Sequence, residues 1–180
     1  MSDREMVMDA KDIERTILRM THRILEVHKG AAEVTLIGIQ TRGVFLAKRL
    51  QETIRRIEGT TVATGDMDIT LYRDDWTRIS HHPVVQATDI LFSVDGKQII
   101  LVDDVLFTGR TTRAAMDAIM DFGRPDRIEL AVLVDRGHRE LPIQADYVGR
   151  FIETRRTETI NVCLRENDGE DQVLIEKQQV

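Results

Sequence analysis

The segment Ile99-Ile100-Leu101-Val102-Asp103-Asp104-Val105-Leu106-Phe107-Thr108-Gly109-Arg110-Thr111-Thr112 decides the fold and most of the chemistry. Four apolar residues in a row read as a strand buried on both faces, and two adjacent carboxylates stand where that strand ends. A turn rich in Thr and Gly follows and opens a helix over about 110–122, which Gly123-Arg124-Pro125 stops. The first turn of a helix offers unpaired N–H groups at the positive end of its dipole, so this turn suits a phosphate monoester. Gly109 lets backbone approach the ligand closely, and the Thr hydroxyls add donors. Two carboxylates beside a phosphate would repel it unless they face hydroxyls, a metal or a developing cation. A ribose 5-phosphate meets both demands, with its phosphate in the turn and its 2- and 3-hydroxyls on Asp103 and Asp104. A helix cap alone would explain Thr108 or Asp104 but not the pair together with the turn. No Walker-type G-x-x-x-x-G-K-[ST] loop occurs anywhere, and a receiver domain would need a Lys at a later strand end, whereas Lys177 is the one Lys after Lys97.

Outward from this segment, apolar strands alternate with helices. Residues 9–29 read as a helix with Asp9 as N-cap, Asp12 in its first turn and Gly30 as its stop, its apolar stripe formed by Ile13, Ile17, Met20, Ile24 and Val27. Residues 34–39 form a short apolar strand, followed by Gln40-Thr41-Arg42-Gly43 and a helix over about 44–58. A strand near 62–70 leads to a polar stretch at 72–89 without periodicity. Buried strands at 98–103 and 128–134 follow, the second ending in a loop over 135–142, with shorter strand-like runs at 145–149, 158–164 and 172–176. This order implies an α/β fold, a doubly wound and mainly parallel sheet with flanking helices, plus a small C-terminal β-rich hood. In such sheets ligands bind outside the carboxyl ends of the strands. Three of those ends carry unusual chemistry: Gln40–Gly43, Asp103-Asp104, and Asp135-Arg136-Gly137-His138.

Length and composition agree with a single domain over residues 1–180. At 180 residues and −6 net charge, with 42% hydrophobic residues and three prolines, the chain is neither fibrous nor disordered. No apolar run reaches the ~18 residues of a membrane span, and the N-terminus lacks the apolar stretch of a signal peptide. A single cysteine, Cys163, supports no internal disulfide, so the cytoplasm is the expected compartment. Of the 25 basic residues 20 are Arg, the planar bidentate partner of phosphates, although surface ion pairs would use them equally well.

The thirteen residues Ile99–Thr111 resemble the phosphoribosyl pyrophosphate signature of type I phosphoribosyltransferases. Leu36–Gly43, Asp68–Asp75, Val102–Thr111 and Ala131–Pro142 together resemble, more narrowly, the PyrR family of pyrimidine-operon attenuation regulators. The match runs in register from about residue 7 to 176. That family binds RNA and also converts uracil and phosphoribosyl pyrophosphate to UMP and pyrophosphate. The resemblance implies that Asp103 and Asp104 hold the ribose hydroxyls, with Asp104 facing the oxocarbenium charge. Val105 and Leu106 complete the signature, and Phe107, Thr108, Gly109, Arg110, Thr111 and Thr112 cradle the 5-phosphate. Thr41, Arg42 and Gly43 resemble the pyrophosphate loop, where type I enzymes often carry a non-proline cis peptide. Arg73, in a segment resembling the mobile catalytic loop Leu71–Asp75, would fold over the pyrophosphate, with Asp74 and Asp75 able to reach Mg2+ or only solvate the loop. Mg2+ would arrive mainly on the substrate, with no protein ligand assigned. Arg136 would wall the uracil pocket and backbone near Ile160 would complete base recognition.

The same resemblance assigns an RNA surface to Arg19, His22, Arg23, His138, Arg139, Arg150, Arg155 and Arg156. The implied RNA is a hairpin in the leader of the pyrimidine transcript, bound more tightly with UMP. Arg15, Arg19, His22 and Arg23 share one side of the first helix, a pattern that a solvated face would also give. Two departures bear on this surface: Leu18 stands where the family typically has Thr, and Phe151 and Glu153 make the segment after the hood strand less cationic. The implied assembly is a homodimer or a larger homo-oligomer without membrane contact. The alternatives are a transferase for another base, an enzyme without RNA control, and an RNA-binding regulator with relict catalysis.

Overall fold

The computed structural model describes residues 3–73 and 88–177. Among the described residues eight strands and four helices run in the order β1 (Asp3–Met8), α1 (Ala10–His28), β2 (Val34–Ile39), α2 (Arg42–Glu58), β3 (Ala63–Met67), β4 (Gln98–Leu106), α3 (Arg110–Phe122), β5 (Arg127–Asp135), β6 (Tyr147–Phe151), β7 (Glu158–Cys163), α4 (Arg165–Asp168) and β8 (Gln172–Lys177), with a 3-10 turn at Thr70–Tyr72. A five-stranded sheet in the order β3-β2-β4-β5-β6 is parallel throughout, and a three-stranded antiparallel sheet in the order β1-β8-β7 forms the hood. The doubly wound reading therefore holds. Among the described residues no helix is long and apolar enough to cross a membrane.

Alternation along β4 shows why both faces are covered. Ile100 and Val102 pack with Leu46, Leu50 and Ile54 of α2 and Ile13, Ile17 and Ile24 of α1, whereas Ile99 and Leu101 pack with Ala114, Ala115, Ala118 and Ile119 of α3. Each of the Val, Leu and Ile side chains contributes ~1.5–3 kcal/mol on burial. The hood residues Ile160, Val162, Leu164, Val173 and Ile175 join the α1/α2 cluster, so hood and sheet share one core.

Strand order reverses between β2 and β4, and the crevice at that reversal is where an open α/β sheet holds its ligand. Here β2 ends at Ile39 and its pairing with β4 stops at Gly38–Val102, while β4 continues beside β5 to Leu106. Asp103 and Asp104 are thus inside a nine-residue strand rather than beyond its end. They occupy the stretch where β4 has outrun β2 and has one open edge.

Other boundaries shift for local reasons. Helix α2 starts at Arg42, two residues earlier than expected, and β3 spans only Ala63–Met67. Helix α1 stops at His28, where Lys29 takes the left-handed conformation at φ 54° and Gly30 follows, also at positive φ, 118°. Strand β6 starts at Tyr147 rather than at 145, since the Asp146 carboxylate accepts from Leu130 N–H at 2.8 Å and fixes the entry to the strand. The hood is not purely C-terminal, for β1, a strand that the sequence reading lacked, pairs with β8.

Candidate active site

The acidic pair is built to keep its two carboxylates different. Asp103 is buried, and its Oδ1 accepts the N–H of Asp104 at 2.9 Å, while Asp104 Oδ1 accepts the N–H of Val105 at 2.8 Å. Burial, with the neighbouring Asp104 charge behind it, pushes the Asp103 carboxyl well above the ordinary carboxylate range, and the Arg73 charge pulls against that shift. Arg73 is therefore close enough to act on the pair. Its neighbour Tyr72 is fastened to α3 by a 2.6 Å hydrogen bond from its hydroxyl to Asp121. Asp74 and Asp75 lie outside the described residues.

The turn Phe107–Thr112 leads straight from β4 into α3. Gly109 caps the helix at φ 91°, a conformation that side chains resist, and a Cβ there would sit 3.2 Å from Ile143. No side chain of the N-cap residue bonds the first turn and no acidic residue lies in it; Arg110 N–H approaches Thr108 Oγ1 at 3.3 Å. The carbonyl of Thr108 accepts from Glu140 and Leu141 N–H, which ties the turn to the loop after β5. Thr108 Oγ1 takes the N–H of Arg110, and no acidic side chain of the first turn meets the positive end of this helix.

Across the crevice, the Gln40–Thr41 peptide bond is cis and α2 begins at once. Thr41 supplies no side-chain cap, so this helix start is open too. Helix and strand approach so closely that a Cβ on Gly43 would lie 2.4 Å from the Val102 carbonyl, and one on Gly38 would lie 2.5 Å from Val44 Cα. Arg42 pairs in bidentate fashion with Asp168 of α4, Nε to Oδ2 at 3.1 Å and Nη2 to Oδ1 at 2.8 Å.

The loop after β5 is held by its own arginines. Arg136 is buried, stacks over the Phe107 ring at 4.1 Å, and donates to Thr154 Oγ1 and to the carbonyls of Arg155 and Glu158. Desolvation pushes its guanidinium down from the ordinary Arg range, against the pull of Glu158. His138 sits at φ 63°, places a ring nitrogen 2.7 Å from the Thr154 carbonyl and meets the Phe107 ring edge-on. Arg139 donates to the carbonyls of Phe107, Gly137 and Ile143 and pairs with Asp135. Ile160 is buried on β7, an edge strand of the hood, so among the described residues one backbone edge there has no strand beside it. Arg136 thus joins the Phe107–Thr112 turn to the hood.

The basic residues assigned to RNA are distributed around this core. Arg19, on α1, bonds the Gly149 carbonyl, and exposed Arg23 pairs with Glu26 at 2.6 Å. Arg150 bonds the Val7 carbonyl, and Arg156 pairs with Glu140, which also holds Arg110 of the phosphate turn. His22 and Arg155 are exposed. Asp168, Phe107 as a stacking ring and Thr154 were not singled out from the sequence for these contacts. Asp168 belongs to a single helical turn with no periodic signal, and a partner for Arg42 126 residues away leaves no local trace.

Residues 3–166 match the phosphoribosyl transferase domain family. Curated relatives include the bifunctional protein PyrR of Desulfosudis oleivorans, 57% identical over 176 residues that make up 97% of each chain. The bifunctional protein PyrR of Clostridioides difficile is 56% identical over 98% of this chain and 100% of its own. Among solved structures, hypoxanthine phosphoribosyltransferases share the fold: that of Staphylococcus aureus at TM-score 0.70 and 19% identity, covering 97% of this chain and 92% of its own, and that of Trypanosoma cruzi at 0.72 and 17%, covering 97% of both.

Proposed function

The chain belongs to the phosphoribosyl transferase domain family and, within it, to the bifunctional PyrR proteins, and on that premise we propose that it moves the phosphoribosyl group of phosphoribosyl pyrophosphate to uracil and binds a pyrimidine leader hairpin in response to the UMP it makes. It does so in the cytoplasm as a homodimer or larger homo-oligomer. One observation carries the catalytic half: β4 outruns β2 so that Asp103 and Asp104 flank a crevice into which two uncapped helix starts point.

Breaking the C1–O bond develops positive charge on the ribose and negative charge on the departing pyrophosphate, so catalysis is electrostatic positioning. Asp104 supplies the charge that faces the ribose cation. Asp103, its carboxyl raised by burial, suits hydrogen bonding to a ribose hydroxyl. The start of α3 takes the 5-phosphate, and the start of α2 with Arg42 and Arg73 takes the pyrophosphate. Two carboxylates beside a polyphosphate suit a hard cation that keeps water and phosphate ligands; Mg2+, held mainly by the substrate, would supply charge neutralisation to the leaving pyrophosphate. Arg136 and the open edge of β7 near Ile160 frame the base.

The experiment is UMP formation from phosphoribosyl pyrophosphate and uracil, with hypoxanthine and guanine in parallel. Uracil should win in kcat/KM by about a hundredfold or more, as expected where a site hydrogen-bonds the correct base. Equal rates with a purine would make this a transferase for another base. For RNA, Arg19→Glu should weaken hairpin binding about tenfold and lower its salt dependence while uracil turnover stays nearly intact. UMP should raise hairpin affinity by about 5–150-fold, and uracil alone by much less. The rival, an enzyme without RNA control, draws on the engagement of Arg19, Arg23 and Arg156 within the protein; hairpin affinities equal with no ligand, uracil and UMP would favour it.

A further inference from the structure

Arg42 reaches from the first turn of α2 to the hood. Its guanidinium gives Nε–H and one Nη–H to the two oxygens of Asp168, at 3.1 and 2.8 Å. A guanidinium carries five N–H groups, so three remain on its other edges. The Asp104 charge also acts on Arg42, which places the cation between hood and acidic pair. Asp168 is itself fixed: Leu164 N–H donates to its Oδ2 at 2.8 Å and Asn167 Nδ2 to its Oδ1 at 2.9 Å. These donors hold its carboxyl below the ordinary range, the Arg42 hydrogen bond first among them. Four hydrogen bonds on one mostly buried carboxylate make a rigid mount, unlike an exposed ion pair.

We propose that Asp168 is a positioning residue for phosphoribosyl transfer, holding Arg42 by one edge so that the free edges of its guanidinium are set for the pyrophosphate before substrate arrives. This rests on reading Thr41–Gly43 as the pyrophosphate loop. A cation already fixed loses less rotamer freedom on meeting its anion, so the mount acts on substrate affinity rather than on the chemical step. It also means that the hood, whose α4 pairs with α2 at Arg42 and Arg49, sets the geometry of the loop at the start of that helix.

Calorimetric titration of Mg2+ and phosphoribosyl pyrophosphate into the full chain tests this without relying on turnover. Asp168→Asn, which keeps an oxygen for Leu164, should raise Kd about tenfold, and Asp168→Glu should recover most of that. Arg42→Ala should weaken binding at least as much, and Asp168→Asn should add less than about twofold in that background. The control is Glu166→Gln, which breaks the 2.6 Å pair between the same short helix and Arg49. It should lower the melting temperature to a similar degree and leave Kd unchanged. Wild-type affinity in Asp168→Asn, with binding lost in Arg42→Ala, overturns the mount. Equal weakening in Glu166→Gln reduces Asp168 to hood stability and overturns it as well. Wild-type affinity in Arg42→Ala overturns both the pyrophosphate-loop reading and the mount. A protein that gives this Kd series yet makes no UMP contradicts the uracil reading alone.

Discussion

Helix α1 begins closed, and helices α2 and α3 begin open. At the start of α1 the Asp9 carboxylate accepts Asp12 N–H at 2.8 Å and the Asp12 carboxylate accepts Asp9 N–H at 3.3 Å, so side chains satisfy the orphan donors and two acidic groups meet the dipole. The N-cap residues of α2 and α3, Thr41 and Gly109, give no side-chain cap, and neither first turn holds an acidic residue. The same chain that closes one helix with its own carboxylates leaves two others without a side-chain cap, the two that the proposed function gives to the substrate's phosphates. Both open ends lie at the crevice between β2 and β4. On the proposed function, capping chemistry separates a helix that stabilises the fold from one that receives a ligand.

The largest expected effect comes from removing the charge that faces this crevice. Asp104→Asn should lower kcat about a thousandfold, since the ribose cation loses its partner in a water-poor site. A loss below about tenfold, measured by steady-state UMP formation, would take Asp104 out of the mechanism. Next comes closing α3 as α1 is closed. Thr111→Asp puts a carboxylate in the first turn and should weaken phosphoribosyl pyrophosphate binding about a hundredfold by repelling the 5-phosphate. Calorimetry reads it, and unchanged binding would move the phosphate elsewhere.

Opening α1 is the converse change. Asp9→Ala should cost about 1 kcal/mol of stability in urea unfolding and leave uracil turnover unchanged. A fall in turnover beyond that of stability would erase the distinction between the two kinds of helix start.

The smallest effect is a pH signature of the acidic pair. The folded-state pKa of Asp103 is raised above its unfolded value of about 3.9, so between the two the native state holds more protons and stability falls as pH rises. Asp103→Asn should therefore melt higher than wild type at neutral pH, with the gain shrinking toward about pH 4. A gain independent of pH would mean that Asp103 has no such shift.

How much of this was legible in the sequence follows from how local each feature is. The run Ile99–Val102, the acidic pair and the Gly109 turn are contiguous, so strand, cradle and helix could be read together, and Asp9 and Asp12 gave the cap of α1 at the correct residue. The cis bond at Gln40–Thr41 was expected through family resemblance alone. Long-range features stayed hidden. β1 has little apolar periodicity and becomes a strand because β8 pairs with it. Arg42 looked like a ligand-binding cation or a salt-bridge partner; it is paired with Asp168 across 126 residues, and its reading as a pyrophosphate ligand calls on the edges that this pair leaves free. Arg139 was read as an RNA contact through the family resemblance, whereas the structure spends it on three carbonyls, one of them Phe107 32 residues away, and on the Asp135 carboxylate. Sequence spacing exposes charge; it does not show which charges the backbone has already taken.

The contrast between helix starts can be read directly from backbone amides. Magnesium phosphoribosyl pyrophosphate, titrated into 15N-labelled protein, should move the amide signals of Arg42–Val44 and Thr108–Thr112 most and leave those of Ala10–Ile13 in place. Largest shifts at Ala10–Ile13, or none at either open helix start, would contradict the assignment of the crevice between β2 and β4 as the phosphoribosyl site.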